Sequence, residues 1–598
     1  MLSYISPRAL GVSLFFVLTF SLSASTQVTF TTHTYPNNNL WNWGTQGING
    51  HVRADLNQDG REDFISSNDA SFNSGCTGSF AVTLSTGDGT YAAPVCYTIP
   101  SGVALYFAVG SFFNSSYMDV IVTNDQGQAY VYENNGDGGL SMNRILNLNG
   151  VAGAIVAADV NHDGALDLVY TASPYKLVST LYVLFGDGAG GFYDGPSTTF
   201  SVTGGPAPLL VGDFDGDSHA DILVRGNKIL YGDGMGHFTA TVSVGAQLSF
   251  LPADPNSDGV TSLIGTAARN VINIQYGHYD RVFTSQNIPL KSCVIGDPPV
   301  VADFDGDGYN DIIVAEDADC KNNGPYTLNF LKNTGNGSLT PTFAPEQVIY
   351  STTSDYIWEL HVMRAGSSSK PDLTVFQSAL GTNGQILNRE QLVLVNTTTG
   401  SFPACAPPFN LDSGISVCSP TSTSGLASPV TFAFGGAGQT PARDMEIWVD
   451  DTKIAENLRH SYSYYSFADA TATLSPGEHT VSAVAVGWDY SLRYITFPLI
   501  VGGTTCPPLT SDGLNVCSPI TESTTTSPVL AWAGGNATGE GNLVRMEVWV
   551  DFVKQFSTFG SNQLKTSIVL SPGIHRFDYF LVSSYGIKWQ QTVYTNVK

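Results

Sequence analysis

The sequence predicts an all-β protein, and three observations support this prediction. Only 13% of the 598 residues are charged, about half of the ~25% typical of soluble chains, while 62 Gly, 27 Tyr and 32 Phe favour turns and strands. An aspartate-rich motif recurs about every 50 residues in the first two thirds of the chain. Two segments of about 100 residues then repeat each other at the C-terminal end. This composition excludes disorder and coiled coil.

The N-terminal residues predict export from the cell. Arg8 precedes an apolar run over residues 9–22, and the small residues Ser23, Ala24 and Ser25 follow. This is the pattern of a cleaved secretory signal peptide over residues 1–24. No second apolar run of ~18 residues occurs. We therefore expect a secreted or cell-surface protein without a transmembrane segment.

Charge and cysteine content agree with an extracellular location. The formal net charge is −26, which disfavours nucleic acid as a partner and favours cations. The eight cysteines form four pairs that are local in sequence, and an even number in an exported chain favours disulfides whose connectivity the sequence leaves open. These pairs are Cys76/Cys96, Cys293/Cys320, Cys405/Cys418 and Cys506/Cys517.

The recurring motif reads Asp-x-[Asp/Asn]-x-Asp-[Gly/Ser]-x-x-Asp, and we number its residues 1 to 9. Four copies carry oxygen-bearing side chains at positions 1, 3, 5 and 9. They are Asp55, Asn57, Asp59 and Asp63; Asp159, Asn161, Asp163 and Asp167; Asp213, Asp215, Asp217 and Asp221; and Asp303, Asp305, Asp307 and Asp311.

This spacing predicts a cation site in each of the four loops. Side chains at positions 1, 3 and 5 of a tight loop can converge on one ion, and a carboxylate at position 9 is expected to complete the shell. Ligand sets made only of oxygen suit Ca²⁺, so we expect about four structural calcium ions. An EF-hand is excluded because it needs Glu at position 12, where the first two loops have Ser66 and Tyr170.

Three further copies are incomplete. Asp254, Asn256 and Asp258 keep the first half of the motif but have Ser262 at position 9, so a cation there is doubtful. The copies that end at Asp119 and Asp372 keep only position 9 and are expected to be empty.

Each copy belongs to a unit that reads strand, Asp loop, strand, variable loop, strand, glycine-containing turn, strand. Seven units of four strands predict a seven-bladed β-propeller over residues 27–402. The Asp loops resemble the FG-GAP/VCBS repeats of integrin α-chain propellers and of secreted bacterial proteins. This resemblance implies Ca²⁺ between the first two strands of a blade, and it leaves the biological activity open.

Residues 403–503 and 504–598 form the tandem duplicate. Met445-Glu-Ile-Trp448-Val-Asp450 returns as Met546-Glu-Val-Trp549-Val-Asp551. Alternating strands in units of about 100 residues predict two immunoglobulin-like sandwiches, similar to bacterial Ig-like modules. We expect Trp448 and Trp549 to lie in their cores.

No catalytic pattern is found in the sequence. The ten histidines include no HExxH and no close pair, so no zinc site is predicted, and no Gly-x-Ser-x-Gly elbow occurs. The carboxylates Glu316, Asp317 and Asp319 are expected to form a solvated acidic loop. The prediction is a non-catalytic adhesion or recognition module for a glycan or protein ligand on the variable face. The alternatives are a polysaccharide lyase or hydrolase and a structural cell-surface scaffold, with the oligomeric state open.

Overall fold

The computed structural model describes most of the chain after residue 26. The described residues are 27–36, 51–67, 79–113, 115, 117–172, 178–201, 209–224, 228–244, 250–256, 258, 260–279, 281–296, 298–335, 340–366, 368–380, 386–402, 405, 414–437, 442–457, 465–488, 492–502 and 506–598. The predicted signal peptide lies outside them. All regular secondary structure among these residues consists of β-strands, which confirms the all-β prediction. Within the same residues, no helix has the length and apolar character needed to span a membrane.

Residues 30–396 form seven antiparallel sheets, which we number along the chain. Sheet 1 contains His51–Ala54, Asp63–Ser67, Phe80–Thr83 and Val95–Tyr97, and a hairpin of Ser85–Gly87 and Thr90–Tyr91 lies beside it. Sheets 2 and 3 contain Ala104–Gly110, Asp119–Asn124, Gln128–Asn134 and Leu140–Asn147, and then Ala152–Ala158, Asp167–Ala172, Val178–Gly186 and Phe192–Ser201. Sheets 4 and 5 contain Leu210–Gly212, Asp221–Val224, Lys228–Gly232 and Phe238–Ser243, and then Phe250–Ala253, Ser262–Ala268, Val271–Tyr276 and Thr284–Pro289.

The last two sheets depart slightly from this pattern. In sheet 6, Cys293–Val294 and Val300–Ala302 both pair with Asp311–Asp317, and Tyr326–Leu331 and Gln347–Thr352 follow. Sheet 7 contains Asp355–Met363, Asp372–Leu380 and Ile386–Asn396, and its fourth strand is Phe30–Pro36 from the N-terminal end. The first strand of the described residues therefore completes the last of the seven sheets. Each Asp loop connects the first and second long strands of its sheet, as the sequence predicts.

Apolar side chains join each sheet to its neighbours. One buried cluster lies between each pair of successive sheets from 1 to 7. A seventh cluster joins sheet 1 to sheet 7 through Phe64, Met363 and Phe376. Every sheet therefore packs against two others, and the series returns to its starting point.

The C-terminal part contains two similar units. Unit 1 has one sheet of Ile415–Ser419, Val430–Ala437 and Tyr465–Ala472 and a second of Ala442–Val449, Thr452–Asn457, Gly477–Gly487 and Leu492–Val501. Unit 2 repeats this with Gly513–Ser518, Val529–Asn536 and Gln563–Ile568, and with Leu543–Val550, Val553–Phe559, Gly573–Ser583 and Lys588–Val597. In each unit, both sheets contribute side chains to one core.

A short strand, Ser523–Thr525, connects the two units. It runs parallel to Ile415–Ser419 of unit 1 and to Lys588–Val597 of unit 2. The result is one sheet of eight strands that extends through both units. The duplicated motifs of the sequence give no sign of this connection.

Three of the four sequence-local cysteine pairs form disulfides, and these are Cys293–Cys320, Cys405–Cys418 and Cys506–Cys517. Cys96 is also disulfide-bonded, and its predicted partner, Cys76, lies outside the described residues. Three disulfides agree with the extracellular location that the cysteine count indicates.

The two units share a histidine–aspartate pair. His479 Nδ1 lies 2.6 Å from Asp450 Oδ2, and its Nε2 lies 2.8 Å from the carbonyl oxygen of Ser475. His575 repeats this arrangement with Asp551 and Ser571. A neutral imidazole has one N–H, so only the protonated ring can donate to both acceptors. The Ser475 carbonyl and the Asp450 carboxylate accordingly raise the pKa of His479 above its ordinary value.

We expect His479→Gln to remove a pH-dependent part of the stability of unit 1. Because the pKa of His479 is raised in the folded state, its contribution is complete below the unfolded pKa, about 6.5, and is lost as pH rises through the folded value. The midpoint difference between wild type and variant should be largest below about pH 6 and shrink in alkaline buffer. Thermal unfolding across this pH range measures it, and a difference independent of pH would contradict the assignment.

Candidate metal loops

The aspartate at position 9 has a structural role that the sequence pattern did not reveal. In sheet 1, Asp63 accepts the N–H of Leu56 at 2.8 Å and the N–H of Ser85 at 2.7 Å, one on each oxygen. It thereby ties the Asp loop to the segment that follows the third strand. The same two kinds of bond are accepted by Asp119, Asp167, Asp221, Asp311 and Asp372.

This role explains why the incomplete loops keep their last aspartate. Asp119 and Asp372 stand in loops that lack positions 1, 3 and 5, yet both are fully buried and accept main-chain bonds. In sheet 5, Ser262 replaces the aspartate, and its hydroxyl accepts the N–H of Gly277 at 3.3 Å. The side chain at position 9 therefore accepts main-chain hydrogen bonds that hold the loop to its sheet, both in complete and in incomplete copies of the motif.

Position 1 organises the first half of each loop. Asp303 accepts the N–H groups of Gly306 at 2.9 Å, Asp307 at 3.1 Å and Gly308 at 3.2 Å. Position 5 folds the chain further, since Asp307 Oδ1 accepts the N–H of Tyr309 at 3.0 Å. These bonds turn the loop so that the carboxylates of positions 1, 3 and 9 face one another.

Two loops bring three carboxylates close together. Oxygens of Asp213, Asp215 and Asp221 all lie within 4.8 Å of one another, and those of Asp303, Asp305 and Asp311 do the same. All six side chains are buried. Burial raises the pKa of Asp311 well above its usual range, and the charges of Asp305 and Asp303 raise it further. A cation in this position would offset that repulsion.

Basic side chains reach into these same two loops. Lys332 pairs with Asp305 and, at 2.5 Å, with Asp307. The Nε of Arg281 lies 2.6 Å from Asp215, and its NH2 group lies 3.9 Å from Asp217. Both acidic clusters are therefore partly neutralised by the protein itself.

The loops with asparagine at position 3 have a different internal contact. Asn57 donates its amide to Asp59 at 3.5 Å, and Asn161 donates to Asp163 at 2.9 Å. In the doubtful loop, Asn256 donates to Asp258 at 2.8 Å, so its first half matches these complete loops. Burial and the charge of Asp59 raise the pKa of Asp55 to about 7.

The first loop also contacts unit 1, which the sequence did not indicate. The hydroxyl of Tyr465 donates a hydrogen bond of 2.5 Å to Asp55 Oδ2, and both side chains are buried. Beside them, the guanidinium of Arg364 lies 5.3 Å from the ring centre of Phe467. Unit 1 therefore covers the 55–63 loop.

The tryptophans of the two units are not in the cores, so that prediction was wrong. Trp448 and Trp549 are half-buried and lie on the outer face of their strands, where their indole N–H groups donate to Glu446 at 2.7 Å and Glu547 at 2.9 Å. Alternation along the strand places Met445 and Ile447 inward, and Trp448 falls at the opposite parity.

A concave pocket of about 420 Å³ adjoins Trp448. Its lining includes Asp444, Glu446, Glu456, Thr480 and Ser482. Carboxylate oxygens of Asp444, Glu446 and Glu456 lie within 4.8 Å of one another. An aromatic ring beside hydrogen-bonding side chains is the kind of surface that binds polar ligands with apolar faces.

The carboxylates Glu316, Asp317 and Asp319 differ in their exposure to solvent. Glu316 and Asp317 are fully buried, in contrast to the predicted solvated loop. Asp317 accepts the N–H groups of Asn322 at 2.7 Å and Gly324 at 3.2 Å, which shapes the loop after its strand. Asp319 is exposed and accepts bonds from Lys321 and Asn323.

Comparison with known protein families bears on sheets 2 and 3. Residues 112–170 match the model of the FG-GAP-like repeat. The chain therefore contains an FG-GAP-like repeat. The matched segment spans positions 2 to 9 of the loop that ends at Asp119 and the second to fourth strands of sheet 2. It continues through the first strand of sheet 3 and the complete loop from Asp159 to Asp167 into the second strand of sheet 3. The FG-GAP-like repeat is of a type found in extracellular and adhesion proteins.

Similarity to other proteins is weak. No curated protein gives a significant match. Among solved structures, fibronectin(III)-like modules of Clostridium thermocellum CbhA are 17% identical, with 31% of this chain and 94% of that chain covered and a TM-score of 0.14. The core factor of S. cerevisiae is 9% identical, with 62% of each chain covered and a TM-score of 0.39.

Proposed function

We propose that the protein is an extracellular, calcium-stabilised recognition module. In this proposal, sheets 1 to 7 are the blades of a seven-bladed propeller, and units 1 and 2 are Ig-like sandwiches. The observation that carries the propeller is the sequence of seven apolar interfaces that returns from sheet 7 to sheet 1. The strand Phe30–Pro36, which comes before sheet 1 in the sequence and pairs with sheet 7, would connect the first and last blades.

Calcium is supported by the chemistry of the loops. Their ligand sets contain only carboxylate and amide oxygens, and Lys332 neutralises the buried charges of Asp303, Asp305 and Asp311 only in part. The side chains at positions 1, 3, 5 and 9 would hold the ion. When bound, Ca²⁺ would supply charge neutralisation and rigidity. Lys332 and Arg281 would have to withdraw from the 303 and 213 loops.

Binding is favoured over catalysis by the arrangement of carboxylates on the variable side. Asp317 uses both oxygens to accept main-chain bonds, and Glu316 is buried beside it, so neither is presented to solvent as an acid–base pair. The pair Glu316 and Asp317 therefore gives no support to the alternative of a polysaccharide-active enzyme. A structural scaffold remains the other alternative.

A glycan is the ligand class that the Trp448 pocket supports. The indole of Trp448 is half-buried, and Lys453 Nζ lies 5.4 Å from its ring centre. Its accessible part can pack against the apolar face of a sugar ring, while Thr480 and Ser482 donate or accept hydrogen bonds and the carboxylates accept them. The pocket lies on unit 1, whereas the sequence placed the ligand on the variable face of the repeats. The variable loops include residues 68–78, which lie outside the described residues.

A glycan and polysaccharide array with the mature chain, read for binding and for released sugar, tests this function. We expect binding without release, and Trp448→Ala should abolish the binding that this pocket provides. Trp549→Ala is the matched control in unit 2. Release of sugar would support the enzyme alternative. The absence of binding to any glycan on the array would favour a protein ligand or a scaffold.

A further inference from the structure

Two histidines and a glutamate from distant parts of the chain meet between sheets 1 and 7. His51 begins the first strand of sheet 1, His51–Ala54. Glu359 and His361 stand two residues apart on the strand Asp355–Met363 of sheet 7. Side chains two residues apart on a strand project to the same face, so both can reach His51. The sequence shows only the Glu-x-His pair.

The three ligand atoms have the spacing of a small tetrahedral site. His51 Nε2 lies 3.4 Å from Glu359 Oε2, and His361 Nε2 lies 3.4 Å from the same oxygen. All three atoms lie within 4.8 Å of one another. Tetrahedral Zn²⁺, with bonds of about 2.0–2.2 Å, requires ligand atoms about 3.3 Å apart. The two 3.4 Å distances match this requirement.

The neighbouring side chains hold these three residues in place and leave them only partly accessible to solvent. The side chains of His51, His361 and Glu359 are 6%, 14% and 19% exposed. The ring of His51 stacks on Phe376 at 6.3 Å and meets His361 edge-on at 5.9 Å. The nearby Arg53 points its guanidinium to Glu62 and to the carbonyl of Val362, which reduces the repulsion that a bound cation would feel.

The chemistry of this cluster differs from that of the Asp loops. Two imidazoles and one carboxylate form a ligand set that prefers Zn²⁺ and other divalent first-row transition metals, whereas oxygen-only loops prefer Ca²⁺. Each of the two metals should therefore select its own site.

We propose that His51, Glu359 and His361 bind one Zn²⁺ ion between sheets 1 and 7. Three protein ligands leave a fourth position for water. The ion would join two strands that lie more than 300 residues apart in the sequence, at the place where the first and last sheets meet. It would thereby stabilise that contact, because a cross-link between distant residues restricts the unfolded chain.

The test is a titration of the untagged mature chain with Zn²⁺ after removal of all metals. Millimolar Ca²⁺ is then present throughout, so that the Asp loops are not available to Zn²⁺. We expect one equivalent of Zn²⁺ to bind with submicromolar affinity and to raise the unfolding midpoint. Substitution by Co²⁺ should give the intense visible absorption of a four-coordinate site.

Variants distinguish this site from incidental binding. His361→Asn and Glu359→Gln should each weaken Zn²⁺ binding, the former by on the order of 100-fold, without loss of the circular dichroism of the fold. His237→Asn is the matched control, because His237 is exposed and pairs with Asp233 outside the cluster. The proposal is overturned if the wild type binds no Zn²⁺, or if His361→Asn and the control bind it equally.

Discussion

Removal of calcium should lower the thermal unfolding midpoint of the mature chain by on the order of 15 °C. A ligand that binds only the folded state at about 100 times its Kd stabilises it by about 2.7 kcal/mol, so four loops contribute about 10 kcal/mol. The physical source is the set of buried carboxylates, such as Asp303, Asp305 and Asp311, whose mutual repulsion Lys332 offsets only in part. Differential scanning calorimetry in Ca²⁺ and in excess chelator measures the change.

Two controls sharpen this experiment. Mg²⁺ in place of Ca²⁺ should restore little of the midpoint, since it accommodates irregular oxygen shells poorly. Asp307→Ala should remove about a quarter of the chelator effect, whereas Asp137→Ala, on an exposed turn of sheet 2, should remove none. An unfolding midpoint that is the same with and without chelator would show that the loops do not hold calcium.

Asp119→Ala should destabilise the protein by about 3 kcal/mol although its loop is expected to hold no metal. The change leaves the N–H groups of Phe112 and Asn134 without their acceptor inside the protein, at about 1–3 kcal/mol each. Burial raises the pKa of Asp119 to about 7, so loss of the carboxylate also relieves some desolvation cost and reduces the net effect. Urea unfolding in the presence of Ca²⁺ measures the difference.

The matched control is Asp125→Ala in the same sheet. Asp125 is exposed and accepts a single bond, from the N–H of Val103 at 2.9 Å, so the expected cost is below about 1 kcal/mol. Asp119→Asn should still be destabilising, because its amide group would place a donor opposite a main-chain N–H. Equal stabilities of Asp119→Ala and Asp125→Ala would contradict the structural role of position 9.

Local patterns allowed much of the repeat region to be predicted from the sequence. The Asp loop and its flanking apolar runs place each loop between the first two strands of a sheet, because ligand spacing and strand alternation act over a few residues. Cys293 and Cys320 are close in sequence and form a disulfide in the structure, although the sequence had left the connectivity open. The all-β class followed from composition and periodicity.

Contacts between distant segments could not be predicted in the same way. The strand Ser523–Thr525 is too short to give a periodic signal, although it joins units 1 and 2. The bond from Tyr465 to Asp55 and the meeting of His51 with His361 depend on how whole sheets pack. The role of position 9 was hidden because its hydrogen bonds are to main-chain groups, which every sequence contains.

The number of calcium ions bound by the mature chain tests the central proposal most directly. Native mass spectrometry after equilibration with Ca²⁺, with loop variants run in parallel, would count them. We expect about four tightly bound ions, and the loss of one in Asp303→Ala but none in Asp119→Asn. A chain that stays folded and binds no calcium would contradict the proposal and would leave Lys332 and Arg281 as the cations of their loops.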